Sequence, residues 1–263
     1  MPDIKVKGYN FHYECYGRSG PPMALIHGWT SYNENWRPVA EAFRDRYRII
    51  MPDLLGHGGS DKPPRGYSIP EQGAYMAELL KRLGFKKDII LGGHSMGGMI
   101  ALWMALHYPG MFSRLILAGT SATGTYSRLK RLGNDLSMIL LRANYPFFYR
   151  FSIPLVFSDN ATQEMKQRHI QNTIRTPAHV AVEAYLDGIR NFNVAKSLSR
   201  VRIPTLILYG EKDRMFSLQE QHFLHKNIKG SRFFMITHAG HEIFMEQPEA
   251  VNEAIFKFLN DVD

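Results

Sequence analysis

The stretch IILGGHSMGGMIAL, residues 89–102, places Ser95 between two pairs of glycines and behind an apolar run. The apolar half is predicted to be a buried strand, and a helix is predicted to follow it at 96–108. Ser95 then lies in a G-x-S-x-G turn, where a strained backbone requires small neighbours. Gly93 and Gly97 supply these neighbours, and the helix N-terminus directs backbone N–H groups at the serine. We interpret Ser95 as a nucleophile; an ordinary glycine-rich turn is the alternative.

Short apolar runs alternate with amphipathic segments along the rest of the chain. The predicted strands span 4–8, 11–16, 23–27, 47–52, 88–93, 114–118, 205–209 and 232–236. The helices predicted between them span 35–45, 69–83, 96–108, 217–227 and 248–260. Nearly continuous apolar runs fit strands that are buried on both faces of a parallel sheet. The alternation therefore predicts an α/β fold.

One interval, 122–195, contains no predicted strand. Its predicted helices span 126–143, 160–174 and 178–191, and the segment NYPFFYRFSIPLVF (144–157), with its two prolines, is expected to interrupt them. The interval is far longer than an ordinary connection between elements. We therefore expect a helical insertion at 122–195 in a core domain formed by 1–121 and 196–263.

A serine nucleophile needs a base that is held by an acid. Asp213 follows the seventh predicted strand in GEKDR, and His241 follows the eighth in THAGHE. The carboxyl ends of parallel strands form the edge where open α/β sheets build their sites. The chain order of nucleophile, acid and base, here Ser95, Asp213 and His241, is one of the known orders of such a triad. Glu211 is the alternative acid and His238 the alternative base.

The third predicted strand ends in HGW, residues 27–29. The backbone N–H groups of Trp29 and Met96 are expected to point into one region, and Gly28 permits a close approach. Two such donors form an oxyanion hole, in which each contributes about 3–4 kcal/mol. An ordinary turn at a strand end is the alternative for HGW.

Composition excludes several classes of protein. The formal net charge is +8, but the 32 Lys and Arg residues are scattered and no nucleic-acid-binding motif accompanies them. The single cysteine, Cys15, cannot form an intrachain disulfide. The first residues lack the long apolar segment that is typical of a signal peptide, and no apolar run is long enough to span a membrane. We expect a cytoplasmic protein without a membrane span and without nucleic acid as a partner.

Five motifs carry a resemblance to a known superfamily. They are HGW (27–29), DLLGHGGSDKP (53–63), GHSMGG (93–98), GEKD (210–213) and HAGH (238–241). On these motifs the chain resembles the α/β-hydrolase superfamily over essentially its whole length. The resemblance implies an eight-stranded, mostly parallel sheet whose second strand is antiparallel, and it implies that the insertion is a cap over the active site.

The resemblance also assigns roles. It implies a catalytic triad of Ser95, Asp213 and His241, with Trp29 and Met96 at the oxyanion hole, and a structural loop at 53–63. We expect no metal and no cofactor, because His238 and His241 lie on a glycine-containing loop without further ligands at suitable spacing. The expected activity is hydrolysis of a small carboxylic ester, including lactones such as acyl-homoserine lactones.

Several related activities are alternatives. Haloalkane dehalogenases and epoxide hydrolases of this fold carry an aspartate where this chain has Ser95, so neither activity is expected. Carbon–carbon bond hydrolases of ring-fission products usually carry a tryptophan where Glu242 stands. A perhydrolase or haloperoxidase activity would be a side reaction of an esterase site. A ligand receptor that has kept the fold is disfavoured, because all three triad residues are present.

Overall fold

The computed structural model of the chain describes residues 2–124 and 128–260, and its strands form a single eight-stranded sheet. The strands are β1 Asp3–Val6, β2 Tyr9–Tyr16, β3 Pro22–Ile26, β4 Arg48–Pro52, β5 Ile89–His94, β6 Phe112–Ala118, β7 Thr205–Gly210 and β8 Arg232–Ile236. Their order in the sheet is β1-β2-β4-β3-β5-β6-β7-β8. β2 is antiparallel to both of its neighbours, and the other pairings are parallel. This arrangement confirms the predicted mostly parallel sheet.

Helices cover both faces of this sheet. The α-helices are α1 Arg37–Phe43, α2 Ile69–Arg82, α3 Met96–His107, α4 Arg128–Ala143, α5 Tyr145–Val156, α6 Gln163–Thr173, α7 Ala178–Glu183, α8 Leu218–Asn227, α9 Ile243–Glu246 and α10 Pro248–Asn260. Apolar side chains of α2, α3 and α8 pack in the core on one face, and those of α1, α9 and α10 pack on the other. None of the helices in the described ranges combines the length and the apolar character that crossing a bilayer requires.

The central strands bring their carboxyl ends to one edge. Every residue of β5 and β7 is buried, as expected for strands covered on both faces. In the register of the sheet, His94 at the end of β5 pairs with Ala118 of β6, and Gly210 of β7 pairs with Ile236 of β8. The loops that follow these strands are therefore neighbours.

The segment between β6 and β7 is helical, as expected. It holds α4 to α7 and a π-helical turn at Ala184–Gly188. Its two ends lie together: Val194 N–H donates to Ala122 O at 2.9 Å, and Thr123 forms an isolated antiparallel bridge with Asn193. The first residues of the predicted helix 126–143 lie outside the described residues. That 122–195 is a separate cap domain stays a prediction.

The expected interruption at NYPFFYRFSIPLVF is wrong, because α5 covers most of this segment. Asn144 Oδ1 caps the helix by accepting from the Phe147 N–H at 3.2 Å. Pro146 lies in the first turn, where a missing N–H removes no intrahelical bond. Pro154 lies in the last turn, so it interrupts the ladder only where the helix is about to end.

Candidate active site

Ser95 occupies the turn between β5 and α3, in an unusual backbone conformation. Its φ is 54° and its ψ is −119°, and it is the residue that precedes the first turn of α3. A non-glycine residue persists in such a conformation only when its surroundings fix it. Here the Ser95 N–H donates to Ala118 O at 2.9 Å, which ties the turn to the end of β6.

The glycines around the serine have the predicted steric role. A Cβ on Gly93 would lie 2.3 Å from the carbonyl oxygen of Gly97, and a Cβ on Gly97 would lie 2.3 Å from that of Ile26. Both contacts are with backbone atoms, which cannot move aside. A Cβ on Gly28 would lie 3.1 Å from the Ser95 Cβ, so the HGW turn approaches the serine closely.

Asp213 and His241 form a buried hydrogen-bonded pair. Asp213 Oδ2 accepts from His241 Nδ1 at 2.8 Å, and the Asp213 side chain is fully buried. The other oxygen, Oδ1, accepts from the N–H groups of Met215 and Phe216 at 2.7 and 3.1 Å. Because a carboxylate only accepts, the hydrogen of a neutral His241 lies on Nδ1, which leaves Nε2 as the basic atom.

The two alternative residues are arranged differently. Glu211 Oε2 accepts from the backbone N–H of His238 at 3.0 Å, and its Oε1 pairs with Lys212 at 3.4 Å. His238 is exposed. Glu211 and His238 thus contact each other at the surface, whereas Asp213 and His241 meet in the interior.

Ser95 follows β5 at the same edge of the sheet as this pair. The Ser95 hydroxyl makes no hydrogen bond within residues 2–124 and 128–260. A Cβ on Gly119, which follows the strand next to β5, would lie 3.1 Å from His241 Nδ1 and 3.3 Å from Asp213 Oδ2.

The electrostatic surroundings favour a protonated His241. Burial opposes the charge on the ring, but the carboxylates of Asp213, Glu242 and Glu246 outweigh it and raise the pKa of His241. His94 packs on the same ring with centroids 4.7 Å apart, and its Nε2 lies 3.1 Å from the His241 carbonyl oxygen, to which it donates. Burial, assisted by the neighbouring His241, lowers the pKa of His94 to about 4. His94 therefore stays neutral where His241 gains its proton.

The Trp29 N–H is predicted to line the oxyanion hole. The carbonyl oxygen of the same peptide belongs to Gly28, and the His27 side chain hydrogen-bonds to it. His27 Nε2 accepts from the Leu54 N–H at 3.0 Å, so the hydrogen of this ring is on Nδ1. Nδ1 donates to Gly28 O at 2.8 Å. Since C=O and N–H point in opposite directions across a planar trans peptide, this bond directs the Trp29 N–H away from His27. The Trp29 N–H has no acceptor within the described residues.

The Met96 N–H is held in the same way. Thr120 Oγ1 donates to the carbonyl oxygen of Ser95 at 2.7 Å, on the opposite side of the Ser95–Met96 peptide. The N–H groups of Gly98 and Met99 donate to that oxygen at 3.0 and 3.2 Å. The Met96 N–H has no acceptor within the described ranges and lies at the N-terminus of α3. Within the part of the chain that the structure describes, neither predicted oxyanion donor thus has an acceptor, and the carbonyl oxygen of each donor peptide is hydrogen-bonded.

The loop at 53–63 has the structural role that was expected. Asp53 Oδ1 accepts from the Asn33 N–H at 2.8 Å, and Oδ2 accepts from the Gly59 N–H at 2.7 Å. His57 Nδ1 lies 3.1 Å from Leu55 O, to which it donates. These contacts fix the backbone of the loop.

A cavity of about 510 Å³ lies between α6 and the core, near the candidate site. Thr30, His169 and Glu242 contribute to its lining, whereas Ser95, Asp213 and His241 do not. In residues 2–124 and 128–260 no grouping of three or more His, Cys, Asp or Glu side chains could hold a metal ion.

Two residues of the site were missed by the sequence reasoning. The sequence prediction gave His27 no role at the oxyanion hole, although its place in HGW, directly before the donor peptide, is a usable signal. Thr120 was not considered. It follows the strand beside the nucleophile, and only the register of the sheet shows that its hydroxyl reaches Ser95.

Comparison with known proteins points to one fold family and to relatives with different activities. The sequence model described as alpha/beta hydrolase fold matches residues 21–248. Epoxide hydrolase 4 of Mus musculus is 28% identical over 98% of this chain and 78% of its own. A thermophilic esterase from Thermogutta terrifontis superposes with a TM-score of 0.90 at 28% identity, over 98% of each chain. Est816, described as an N-acyl homoserine lactone degrading enzyme, does so with a TM-score of 0.87 at 25% identity, over 98% of this chain and 100% of its own.

Proposed function

The chain belongs to the alpha/beta hydrolase fold family, and we propose that it is a carboxylic-ester hydrolase that works through Ser95, His241 and Asp213. One observation carries the proposal: the buried 2.8 Å pair of Asp213 and His241 lies at the same sheet edge as the strained Ser95. The free N–H groups of Trp29 and Met96 support it, since acyl transfer needs two donors for the oxyanion.

In the first half of the reaction, Ser95 Oγ attacks the ester carbonyl while His241 Nε2 takes the hydroxyl proton. Asp213 orients the ring and stabilises the imidazolium that forms. The carbonyl oxygen gains a negative charge, which the N–H groups of Trp29 and Met96 stabilise. Collapse of the tetrahedral intermediate expels the alcohol, which takes the proton from His241 and leaves an acyl group on Ser95.

In the second half, water replaces the alcohol. His241 removes a proton from the water as it attacks the acyl-enzyme, and the same two N–H groups stabilise the second oxyanion. The carboxylic acid then leaves, and Ser95 regains its proton. A lactone is a cyclic ester, so this apparatus opens it by the same steps. The lactone-degrading Est816 makes lactones part of the proposed substrate class.

The epoxide hydrolase relative suggests a different reaction, which Ser95 does not fit. If Ser95 Oγ opened an epoxide, the product on the enzyme would be an ether. An ether has no carbonyl for water to attack, so the oxyanion donors and His241 could not release it. A carboxylate nucleophile would instead give an ester that the same site could hydrolyse. Ester substrates therefore suit this chain better than epoxides.

The helical insertion at 122–195 is proposed to be the cap over this site. Trp29, which follows Gly28 in the HGW turn, donates from Nε1 to Ala181 O of α7 at 2.8 Å. Its ring lies 6.3 and 6.5 Å from those of Tyr149 and Tyr185. The insertion thus packs against Trp29, whose N–H is a proposed oxyanion donor, and this contact supports its role as a cap. A cytoplasmic location stays a prediction.

The test is Ser95→Ala on a series of p-nitrophenyl esters and acyl-homoserine lactones of graded chain length. We expect kcat to fall by roughly 10⁴-fold or more, because the nucleophile of a triad cannot be replaced by its partners. Circular dichroism should show an unchanged fold. Full turnover by the alanine variant would overturn the proposal. So would a wild-type protein that cleaves a vinylogous diketone ring-fission product but none of the esters or lactones.

A further inference from the structure

The loop that carries His241 is attached to the end of α5. The His241 N–H donates to the carbonyl oxygen of Val156 at 2.7 Å, and the Glu242 N–H donates to the same oxygen at 3.3 Å. The last carbonyls of a helix have no partner within the helix. The final turn of α5 therefore supplies the acceptor for the backbone of the proposed catalytic base.

A single carboxylate reinforces this attachment. Glu246 Oε1 accepts from the Gly240 N–H at 2.8 Å, and Glu246 Oε2 accepts from the Ser158 N–H at 3.0 Å. Gly240 directly precedes His241, and Ser158 lies two residues beyond the end of α5. Glu246 thus bridges the two chain segments, and hydrogen bonds to an ionised group are stronger than neutral ones.

The two segments are in backbone contact. A Cβ on Gly240 would lie 2.6 Å from Ser158 N and 2.7 Å from the carbonyl carbon of Phe157. Any side chain at position 240 would separate them. The acid loop is attached to the same place, because Arg214, next to Asp213, donates from Nη1 to Pro154 O at 2.9 Å.

We propose that Glu246 is a positioning residue for His241, which it holds in place by fastening the histidine loop to the end of α5. Residues of the helical insertion, Val156 and Ser158, then help to hold the base in place. Glu246 itself is not assigned a contact with the substrate. The inference rests on the proposed function, in which His241 is the base.

Glutamine tests this role because it keeps the shape but changes the pattern of donors and acceptors. Two N–H donors face the Glu246 carboxylate, and a glutamine offers one acceptor oxygen and one NH₂ donor. One of the two bonds is therefore lost, and the NH₂ faces another donor. Aspartate keeps the charge but is one methylene shorter, so it reaches only one of the two N–H groups.

We expect Glu246→Gln to lower kcat for p-nitrophenyl acetate by roughly 10–100-fold, because small displacements of a catalytic group have effects of this size. KM should change by less than about twofold, since no substrate contact is removed. The matched control is Glu249→Gln, three residues further on and exposed, which should behave as wild type.

The pH profile separates positioning from loss of charge. The titratable groups that face His241 are Asp213, Glu242, Glu246, His94 and His169. The pH dependence of kcat/KM reports the protonation of the free enzyme, in which the base must be neutral to act. We therefore expect kcat/KM to fall as the pH drops through the pKa of His241. Glu246→Gln removes a carboxylate that raises this pKa, so the acid limb should move to lower pH. Glu246→Asp should lower kcat and leave the acid limb in place.

Wild-type kcat in Glu246→Gln, or an equal loss of kcat in Glu249→Gln, would overturn the proposal. If Glu246→Gln does not fold, Glu246→Asp decides alone: a lowered kcat supports positioning, and a wild-type kcat contradicts it. Ser95→Ala is measured in the same assay. Retained turnover in that variant means that the proposed function has failed, whereas its loss together with an unaffected Glu246→Gln means that only the positioning role has failed.

Discussion

Thr120 shows how one hydroxyl reaches the proposed site without touching a substrate. Its Oγ1 donates to the carbonyl oxygen of Ser95 at 2.7 Å, and the N–H of the same peptide is the proposed oxyanion donor of Met96. A hydrogen bond to the carbonyl polarises the peptide and makes its N–H a better donor. The Gly98 and Met99 N–H groups also bond this oxygen, so Thr120 adds to an existing restraint.

Thr120→Val removes the hydroxyl and keeps the shape, and Thr120→Ser does the reverse. The valine variant should lose roughly 2–10-fold in kcat with KM little changed, the effect of about one hydrogen bond. The serine variant should keep most of the wild-type kcat. Steady-state kinetics on one ester gives both values. A wild-type kcat in the valine variant together with a lowered kcat in the serine variant would show that the methyl group, not the hydroxyl, matters at this position.

Single residues of the site differ in how far the sequence reveals them. The positions of Ser95, Asp213 and His241 at the edge of the sheet could be predicted because each follows a recognisable strand, and their catalytic roles stay a proposal. Thr120 and Glu246 could not, because their partners lie far away in the sequence. Thr120 follows β6 and hydrogen-bonds to Ser95, which follows the neighbouring strand β5. Glu246 hydrogen-bonds to Ser158 of the insertion. Such contacts depend on the register of the sheet and on the docking of the insertion.

The junction of β5 and α3 is where packing leaves no space for a side chain. Gly93→Ala would place a Cβ 2.3 Å from Gly97 O, a contact that only backbone movement can relieve. Overpacking of this kind typically destabilises a fold by about 1–3 kcal/mol. We expect a lower urea midpoint together with a large loss of the proposed ester-hydrolysing activity, because the displaced backbone carries Ser95.

Gly133→Ala in α4 is the matched control for this substitution. A Cβ at position 133 meets nothing within 4 Å, and the residue is exposed. Alanine in a helix interior is favoured over glycine by about 1 kcal/mol, so the control should be as stable as wild type or more so. A Gly93→Ala variant with wild-type stability and activity would contradict the tight junction that the structure shows.

The strands of the sheet and most of the helices that flank it could be predicted from the sequence, because their apolar patterns are long and regular. The prediction failed at α5, where two prolines suggested a break. Both prolines lie at helix ends, and the placement of Pro146 and Pro154 relative to those ends was not visible from the sequence alone. The N-terminus of α5 is marked in the sequence only by the side chain of Asn144, which caps the helix.

Across the whole molecule, buried neutral histidines should make the protein sensitive to acid. Burial lowers the pKa of four of them: His27, His57, His94 and His169. The pKa values of His57 and His94 are lowered to about 4. In the unfolded chain these groups protonate near pH 6.5. Between those values the unfolded state binds more protons, so stability falls as the pH falls.

His241 acts in the opposite sense, because its pKa is raised and its contribution to stability is largest at low pH. Because the pKa is lowered for four histidines and raised for one, we still expect a net loss of stability as the pH falls. We expect the urea midpoint to decrease steadily from about pH 6.5 to pH 4, with His57 alone contributing on the order of 3 kcal/mol.

His57→Asn should reduce this pH dependence, since an asparagine amide can also donate to Leu55 O and does not titrate. His107→Asn, on the exposed side of α3, is the matched control. A urea midpoint that stays constant between pH 7 and pH 4.5 would contradict this account of the buried histidines.

The central claim is that Ser95 is the nucleophile of an ester hydrolase, and the most direct measurement is covalent trapping. The protein is treated with a fluorophosphonate, which bonds to a serine that a neighbouring base activates, and is then analysed by intact mass and peptide mapping. We predict one adduct per chain on Ser95 Oγ, loss of esterase activity in proportion to labelling, and no adduct on Ser95→Ala. An adduct on a different residue that accounts for the lost activity, or ester hydrolysis that continues with Ser95 fully labelled, would contradict the claim.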